Sequence, residues 1–506
     1  MRWKRFAPTG ALVVVLLWLR PVVAQDVQLD VKEKVLSNGM KVLVVERHHT
    51  PRISCRLVYR VGAVNDPAGL TGIAHLFEHM MFKGTKVIGC KDAAAEAPII
   101  ERIDELMGQI ADLKRQGTPE ALAKIDALRR EYESELARER QLIDTDELTD
   151  LYQRHGATGL NAGTGTDLTV FMVNVPSNKL ELFMWLDSDR MSNAVLREFY
   201  VERDVVADER RMRVDANPYG YFREEMLSVY FTAHPYGRPV GGWADDIQRI
   251  TRQQAADFFA TYYAPNNATL VLVGDLEPEA TFAMAERYFG RVPRSPKPIA
   301  DLITQEPTQH GPRRIEVSTM ARPVVTINYH VPPRQHPDFY PLSIAADVLN
   351  GRSGRLHKRL VLADDIAFSV AANMDGSAHA GTFTLIAMPK GPNTHQRVED
   401  TLVAEIDRLK SEPPTGDEMQ RVKNAADAEF IGGLRSNDGL AMQLAVMDAI
   451  IDWREVIEAP AKIKAVTADQ VAEVAKKYLI RDNSTVGWVT TKPMPAGQAS
   501  PGGGAQ

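Results

Sequence analysis

The stretch TRQQAADFFATYYAPNNATLVLV (Thr251–Val273) returns as TADQVAEVAKKYLIRDNSTVGWV (Thr467–Val489) at a constant offset of 216, with no gap. Thr251/Thr467, Gln254/Gln470, Ala256/Ala472, Tyr262/Tyr478, Asn267/Asn483, Thr269/Thr485 and Val273/Val489 coincide. Both copies read as helix, turn, strand, so the chain holds two related domains, each ending in the same unit. Between the copies, RVPRSPKPIADLITQEPTQHGPRR (residues 291–314) is rich in proline and poor in periodicity, which reads as an interdomain linker. The domains expected are therefore 25–300 and 301–490.

Upstream, VKEKVLSNGMKVLVVER (residues 31–47) reads as two strands around the Asn38-Gly39 turn, and Ile53 to Val61 as a third. Leu70 to Phe82 reads as a short helix. Two strand-like runs flank a polar turn in residues 157–175, and helices are expected over 178–190 and 197–214. Residues 98–143 differ in character. Ile99, Ile103, Leu106, Ile110 and Leu113 form the seam of one packed helix, and Leu122, Ile125, Leu128, Tyr132 and Leu136 that of a second. Thr118-Pro119-Glu120 caps the second, which makes the segment an antiparallel helical hairpin inserted in the first domain.

With 506 residues, 44% hydrophobic and 25% charged, the chain is neither disordered, collagenous nor a coiled-coil rod. Arg2, Lys4 and Arg5 precede the apolar run ALVVVLLWL (residues 11–19), and Val22-Val23-Ala24 supplies a cleavage site. Residues 1–24 thus read as a secretory signal peptide, which predicts a secreted, periplasmic protein with no stable membrane span after cleavage. The formal net charge of −6 becomes −10 without Arg2, Lys4, Arg5 and Arg20, which argues against a nucleic-acid partner. Two cysteines, Cys55 and Cys90, make no disulfide framework and read as free thiols. The tail, residues 491–506, has the composition of a disordered segment.

The chemistry concentrates in His75-Leu76-Phe77-Glu78-His79. On a helix, Ile73, Leu76, Phe77, Met80 and Met81 share one side, while His75, Glu78 and His79 spread over about 100° of the other. Two imidazoles one turn apart suit a single metal ion, and zinc accepts them readily. Glu78, beside them, has the chemistry of a general base for a water molecule. A third ligand comes from elsewhere: Glu202 and Glu209 share a face of the helix expected over 197–214, with Asp204 and Asp208 as competitors.

HLFEH followed by MMFKGT, with ERDVVADE (Glu202–Glu209) downstream, resembles the pitrilysin, insulysin and mitochondrial processing peptidase family of inverted-motif (HxxEH) zinc metalloproteases. LNAGTGTDLTVF (Leu160–Phe171), HPYGRPVGGW (His234–Trp243) and YAPNNATLVLVGD (Tyr263–Asp275) extend the resemblance over nearly the whole mature chain. It implies an α+β fold of two homologous domains, each an antiparallel sheet packed with helices, facing each other as a clamshell. It implies one Zn2+ per chain on His75, His79 and Glu209, with Glu78 as catalytic base and Glu202 as a supporting carboxylate. Asn161 and Ala162 match the edge strand that binds an extended peptide substrate. The activity implied is a zinc metalloendopeptidase acting on peptides or unfolded segments. The family's arginine and tyrosine that polarise the scissile carbonyl align with Val361 and Phe368, neither of which donates a hydrogen bond. A homo- or heterodimer with a homologous subunit supplying that Arg/Tyr pair is therefore expected. The rival reading is a noncatalytic peptide-binding or assembly subunit of a protease complex.

Overall fold

The computed structural model describes residues 29–391 and 394–492; the expected signal peptide and residues 493–506 of the expected tail lie outside them. In sequence order the first half runs β1 (Lys32–Val35), β2 (Lys41–Glu46), β3 (Arg52–Tyr59), α1 (Ile73–Met80), α2 (Ala93–Gln116), α3 (Pro119–Leu142), α4 (Glu147–Arg154), β4 (Thr158–Thr164) and β5 (Thr169–Pro176). It continues through α5 (Leu180–Asn193), α6 (Phe199–Arg210), α7 (Pro218–Tyr230), α8 (Ala244–Arg249), α9 (Arg252–Tyr262), β6 (Ala268–Gly274) and α10 (Pro278–Tyr288). The second half contains β7 (Arg313–Thr319), β8 (Val324–Val331), α11 (Phe339–Leu349), β9 (Ala367–Gly376), β10 (Gly381–Pro389), α12 (His395–Ser411) and α13 (Gly416–Leu434). It closes with α14 (Asn437–Ile450), α15 (Glu455–Ala465), α16 (Ala468–Tyr478) and β11 (Ser484–Thr491).

Two sheets result, ordered β1-β2-β6-β3-β5-β4 and β7-β11-β8-β10-β9. Apart from β1 they match position by position, with β6 and β11, the strands of the repeat, in equivalent places. The repeat's shared residues explain themselves locally. Thr251 and Thr467 each form a capping box with the Gln three residues on, which starts α9 and α16. The Asn267 amide donates to Tyr262 O and Arg60 O, at 2.8 and 3.2 Å. Asn483 repeats this on Tyr478 O and His330 O, at 2.7 and 2.8 Å. Each asparagine thereby ties the end of its helix to the strand beside it.

The sheets are mixed rather than purely antiparallel. β2 runs parallel to β6, and β7 to β11, while the other pairs are antiparallel. A strand that returns to its sheet after a helix, as β6 and β11 do, is free to take either direction. The inserted hairpin also begins earlier than expected, at Ala93, because the Asp92 side chain accepts from Ala94 N and Ala95 N as an N-cap; Pro98 lies inside α2 and does not open it. Ile99, Ile103, Leu106, Ile110, Ile125 and Leu136 are buried along its seam, whereas Leu122, expected there, is 49% exposed.

Residues 31–492 belong to one compact unit. The chain between α10 and β7 has no helix or strand from residue 293 to 312, but it is docked. Glu306 accepts from Thr232, Ala233 and His234 amides, and the buried Gln309 donates to Ser484 O at 2.7 Å. The helix α14 of the second half packs on β3 and β6 of the first. Its buried Asp448 receives Lys41 Nζ, Arg60 Nη2 and Thr269 Oγ1, each at 2.6 Å. Cys55 and Cys90 are both free thiols. Among the described residues no helix is long and apolar enough to cross a membrane.

Candidate metal centre

The helix α1 is seated by its apolar side: Ile73, Leu76, Phe77 and Met80 are fully buried. The loops around it fix its start. Asp66 accepts from Gly72 N at 2.7 Å and from Ala74 N at 3.2 Å, and burial pushes its carboxyl up to about 7. The HPYGRPVGGW segment wraps the same corner, with Arg238 donating to Asp66 O at 2.7 Å and Trp243 N to Thr71 Oγ1 at 2.8 Å. Gly242 has φ +75°, and a Cβ there would meet Thr71 O at 2.3 Å, so only glycine fits. Arg210, buried and bidentate to Glu224 at 2.6 and 2.8 Å, also donates to Gly242 O at 2.7 Å. The end of α6 is thus pinned to the loop that seats α1.

Three sequence-predicted residues meet. Ligating atoms of His75, His79 and Glu209 all lie within 4.8 Å of one another. Glu209 Oε2 stands 3.3 Å from His79 Nε2 and 3.8 Å from His75 Nε2, while its Oε1 pairs with Arg213 at 2.6 Å. Ligands around a tetrahedral zinc stand about 3.3 Å apart, so the donor set fits that ion with little adjustment. The backbone departs from α-helix just after Glu209: Arg211–Asp215 form a π-helical turn, a feature often found at functional sites.

Glu202 takes the other side of His79, 3.3 Å from Nδ1, and so orients the ring with Nε2 toward Glu209. Burial alone pushes His79 down, but the bond to Glu202 and the charge of Glu209 outweigh it and the net shift is upward. For His75, burial and the neighbouring His79 prevail and the shift is downward. Its Nδ1 is buried with no hydrogen-bond partner. Asp204 and Asp208, the competitors left open by helical spacing, are exposed, and Asp208 pairs with Arg211 at 3.0 Å.

Glu78 Oε2 accepts from Thr164 Oγ1 at 2.6 Å. Thr164 ends β4, the outermost strand, which pairs only with β5. Asn161 and Ala162 lie on the same strand, opposite Met172 and Phe171, and among the described residues no strand pairs with its other edge. Val361 lies in a π-helical segment, His357–Ala363, half-buried, and Phe368 on β9 is 59% exposed. Tyr329, on β8, is buried in the second core.

Sequence reasoning did not single out Thr164, Lys83, Arg197 or Glu198. Lys83 Nζ lies 2.7 Å from Glu202 and 3.1 Å from Glu198. Buried Arg197 donates to Glu96 and to the carbonyls of Lys83, Thr85 and Ile88. Lys83 and Thr164 sit inside MMFKGT and LNAGTGTDLTVF, so the resemblance marked their neighbourhoods. Their partners, over eighty residues away in sequence, gave no local signal.

A family profile described as insulinase (peptidase family M16) matches residues 41–96, the segment that contains HLFEH. A second, described as the peptidase M16 inactive domain, matches residues 249–426. The zinc protease PqqE of Helicobacter pylori is 25% identical over 457 residues, covering 89% of this chain and 90% of that protein. The mitochondrial-processing peptidase subunit beta of Lentinula edodes is 24% identical over 471 residues, covering 88% and 86%. A crystal structure of a protease from Helicobacter pylori superposes with a TM-score of 0.76 and 25% identity, covering 92% of this chain and all of the other. Both profiles describe peptidase family M16, and the chain is similar to members of that family over most of its length.

Proposed function

We propose that this protein is a zinc metalloendopeptidase that hydrolyses peptides or unfolded segments, acting as the zinc-bearing subunit of a pair. The observation that carries the reading is the convergence of His75, His79 and Glu209 donor atoms beside a carboxylate, Glu78, that is held by a hydroxyl rather than by a cation. His75 Nε2, His79 Nε2 and Glu209 Oε2 would hold one zinc per chain. That ion supplies Lewis acidity toward water and the scissile carbonyl. Glu202 keeps His79 in the ligating tautomer by accepting its Nδ1 proton. An extended substrate adds its backbone to the open edge of β4 at Asn161 and Ala162, which brings one of its carbonyls toward α1. Glu78 takes a proton from the attacking water and returns it to the departing amine nitrogen, so both bonds are made and broken in balance.

The same reading includes export by the signal peptide at residues 1–24, a catalytic domain over 25–300 and a homologous domain over 301–490. A partner subunit contributes the arginine and tyrosine whose places here are taken by Val361 and Phe368. Loss of one such donor costs about 10²–10³ in rate. Those two residues also favour a second reading, a noncatalytic peptide-binding subunit. Replacing Glu78 by Gln separates the two. The peptidase reading expects zinc content to persist and cleavage of an unstructured peptide, with the partner present, to fall by about 10²-fold or more. Cleavage equal to wild type would contradict it.

A further inference from the structure

The inserted hairpin is a large feature that the proposed chemistry does not use, yet the start of its first helix and the end of its second reach the metal centre's supports. On α2, buried Glu96 holds Arg197 by two bonds, Nε to Oε1 at 2.7 Å and Nη2 to Oε2 at 3.1 Å. On α3, Glu139 Oε1 accepts from Glu198 N at 3.2 Å, and Arg140 Nε lies 3.5 Å from Glu198 Oε1. Arg197 and Glu198 are the two residues that lead into α6, the helix that carries Glu202 and Glu209.

Glu198 has φ +51°, one of two non-glycine residues in the left-handed region among those described. Such a conformation persists only where its surroundings impose it, and here the hairpin supplies the partners. From Glu198 the connection is continuous and mostly buried. Its Oε2 lies 3.1 Å from Lys83 Nζ, which lies 2.7 Å from Glu202 Oε1, whose Oε2 lies 3.3 Å from His79 Nδ1.

We propose that the hairpin is a positioning device for the metal centre: through Glu139 and Glu198 it sets Lys83 and Glu202, and thereby the ring of His79 and the start of the Glu209 helix. This rests on the zinc-site reading above. Glu198 and Lys83 are positioning residues, acting through Glu202, and outer partners of this kind tune metal affinity by about 10–100-fold when lost.

The test is equilibrium zinc competition against a chromophoric chelator on the full mature chain, with the metal-free melting temperature recorded for each variant. Glu198→Gln, Lys83→Met and, on the hairpin itself, Glu139→Met are expected to weaken zinc about 10–100-fold. Lys83→Arg, which keeps a cation in reach of both carboxylates, is expected to recover most of that loss. Arg102→Gln, which removes ion pairs made within the hairpin, to Glu105 at 2.8 Å and Glu131 at 2.6 Å, is expected to match wild type. Arg140→Gln guards against misfolding, because that side chain is 59% exposed, and a several-fold weakening is expected. Wild-type affinity in both Glu139→Met and Arg140→Gln overturns the hairpin's role while leaving the zinc site standing. Equal weakening by Lys83→Arg and Lys83→Met overturns the positioning role of Lys83. A wild-type chain that binds no zinc, with His75→Ala indistinguishable from it, removes the zinc-site reading and this inference together.

Discussion

Thr164 and Glu78 illustrate what a single contact does at this site. The 2.6 Å bond from the threonine hydroxyl fixes one carboxylate oxygen and leaves the other for a proton. A hydrogen bond to a charged carboxylate is worth about 1.5–3 kcal/mol, so Thr164→Val is expected to lower kcat by about 10-fold or more with KM little changed. Thr164→Ser should restore it; a variant that raises only KM would show that the hydroxyl serves substrate binding instead. His330 makes a different prediction. Burial drives its imidazole down to about 4, and its ring stacks on Tyr230 with centroids 3.9 Å apart. An unfolded histidine takes its proton near 6.5. Between those values the unfolded chain binds more protons than the native one, so stability rises with pH across the window and is lost as pH falls through it. The loss is on the order of 2 kcal/mol, and His330→Phe should flatten the slope in denaturant melts at pH 4.5 and 7. The histidine motif was legible in sequence because its ligand spacing and its apolar face obey one helical period. Thr164 was not, because only strand register brings it to Glu78.

Among the elements, the repeated unit was the most legible, since Thr251/Thr467 and Asn267/Asn483 do local work at the two ends of the same helix and carry it wherever the unit goes. The parallel direction of β6 and β11 was hidden, because strand periodicity says nothing about the neighbour. The hairpin's start, expected at residue 98, lies at Ala93 because the Asp92 cap decides it. The most consequential unread element is α14, a helix of the second half that serves the first. Its Asp448 is fully buried between Lys41, Arg60 and Thr269. Asp448→Ala leaves two cations facing a void; both are partly exposed, so the cost is about 2–4 kcal/mol rather than that of a fully buried pair. A lowered urea midpoint checks this, and an unchanged one would show that the halves hold together without Asp448.

At the scale of the whole molecule, duplication produced two sheets of like topology, and among the described residues the clusters able to hold a metal lie in the first half. The second sheet supports rather than repeats the chemistry: α14 braces the first sheet, and the β9–β10 turn reaches the first half where Ala378 N donates to Asp167 at 3.0 Å. Val361 and Phe368 stand where the family's carbonyl-polarising pair aligns, so the proposed activity calls for a second subunit. The proposed metal centre needs this chain alone: one zinc on His75, His79 and Glu209. The direct measurement is anomalous scattering at the zinc edge from crystals of the Glu78→Gln variant soaked in zinc. One strong peak is expected about 2.0–2.2 Å from His75 Nε2, His79 Nε2 and Glu209 Oε2. No peak there, or a peak only at the exposed Glu46, His48 and Glu277 cluster, would contradict it.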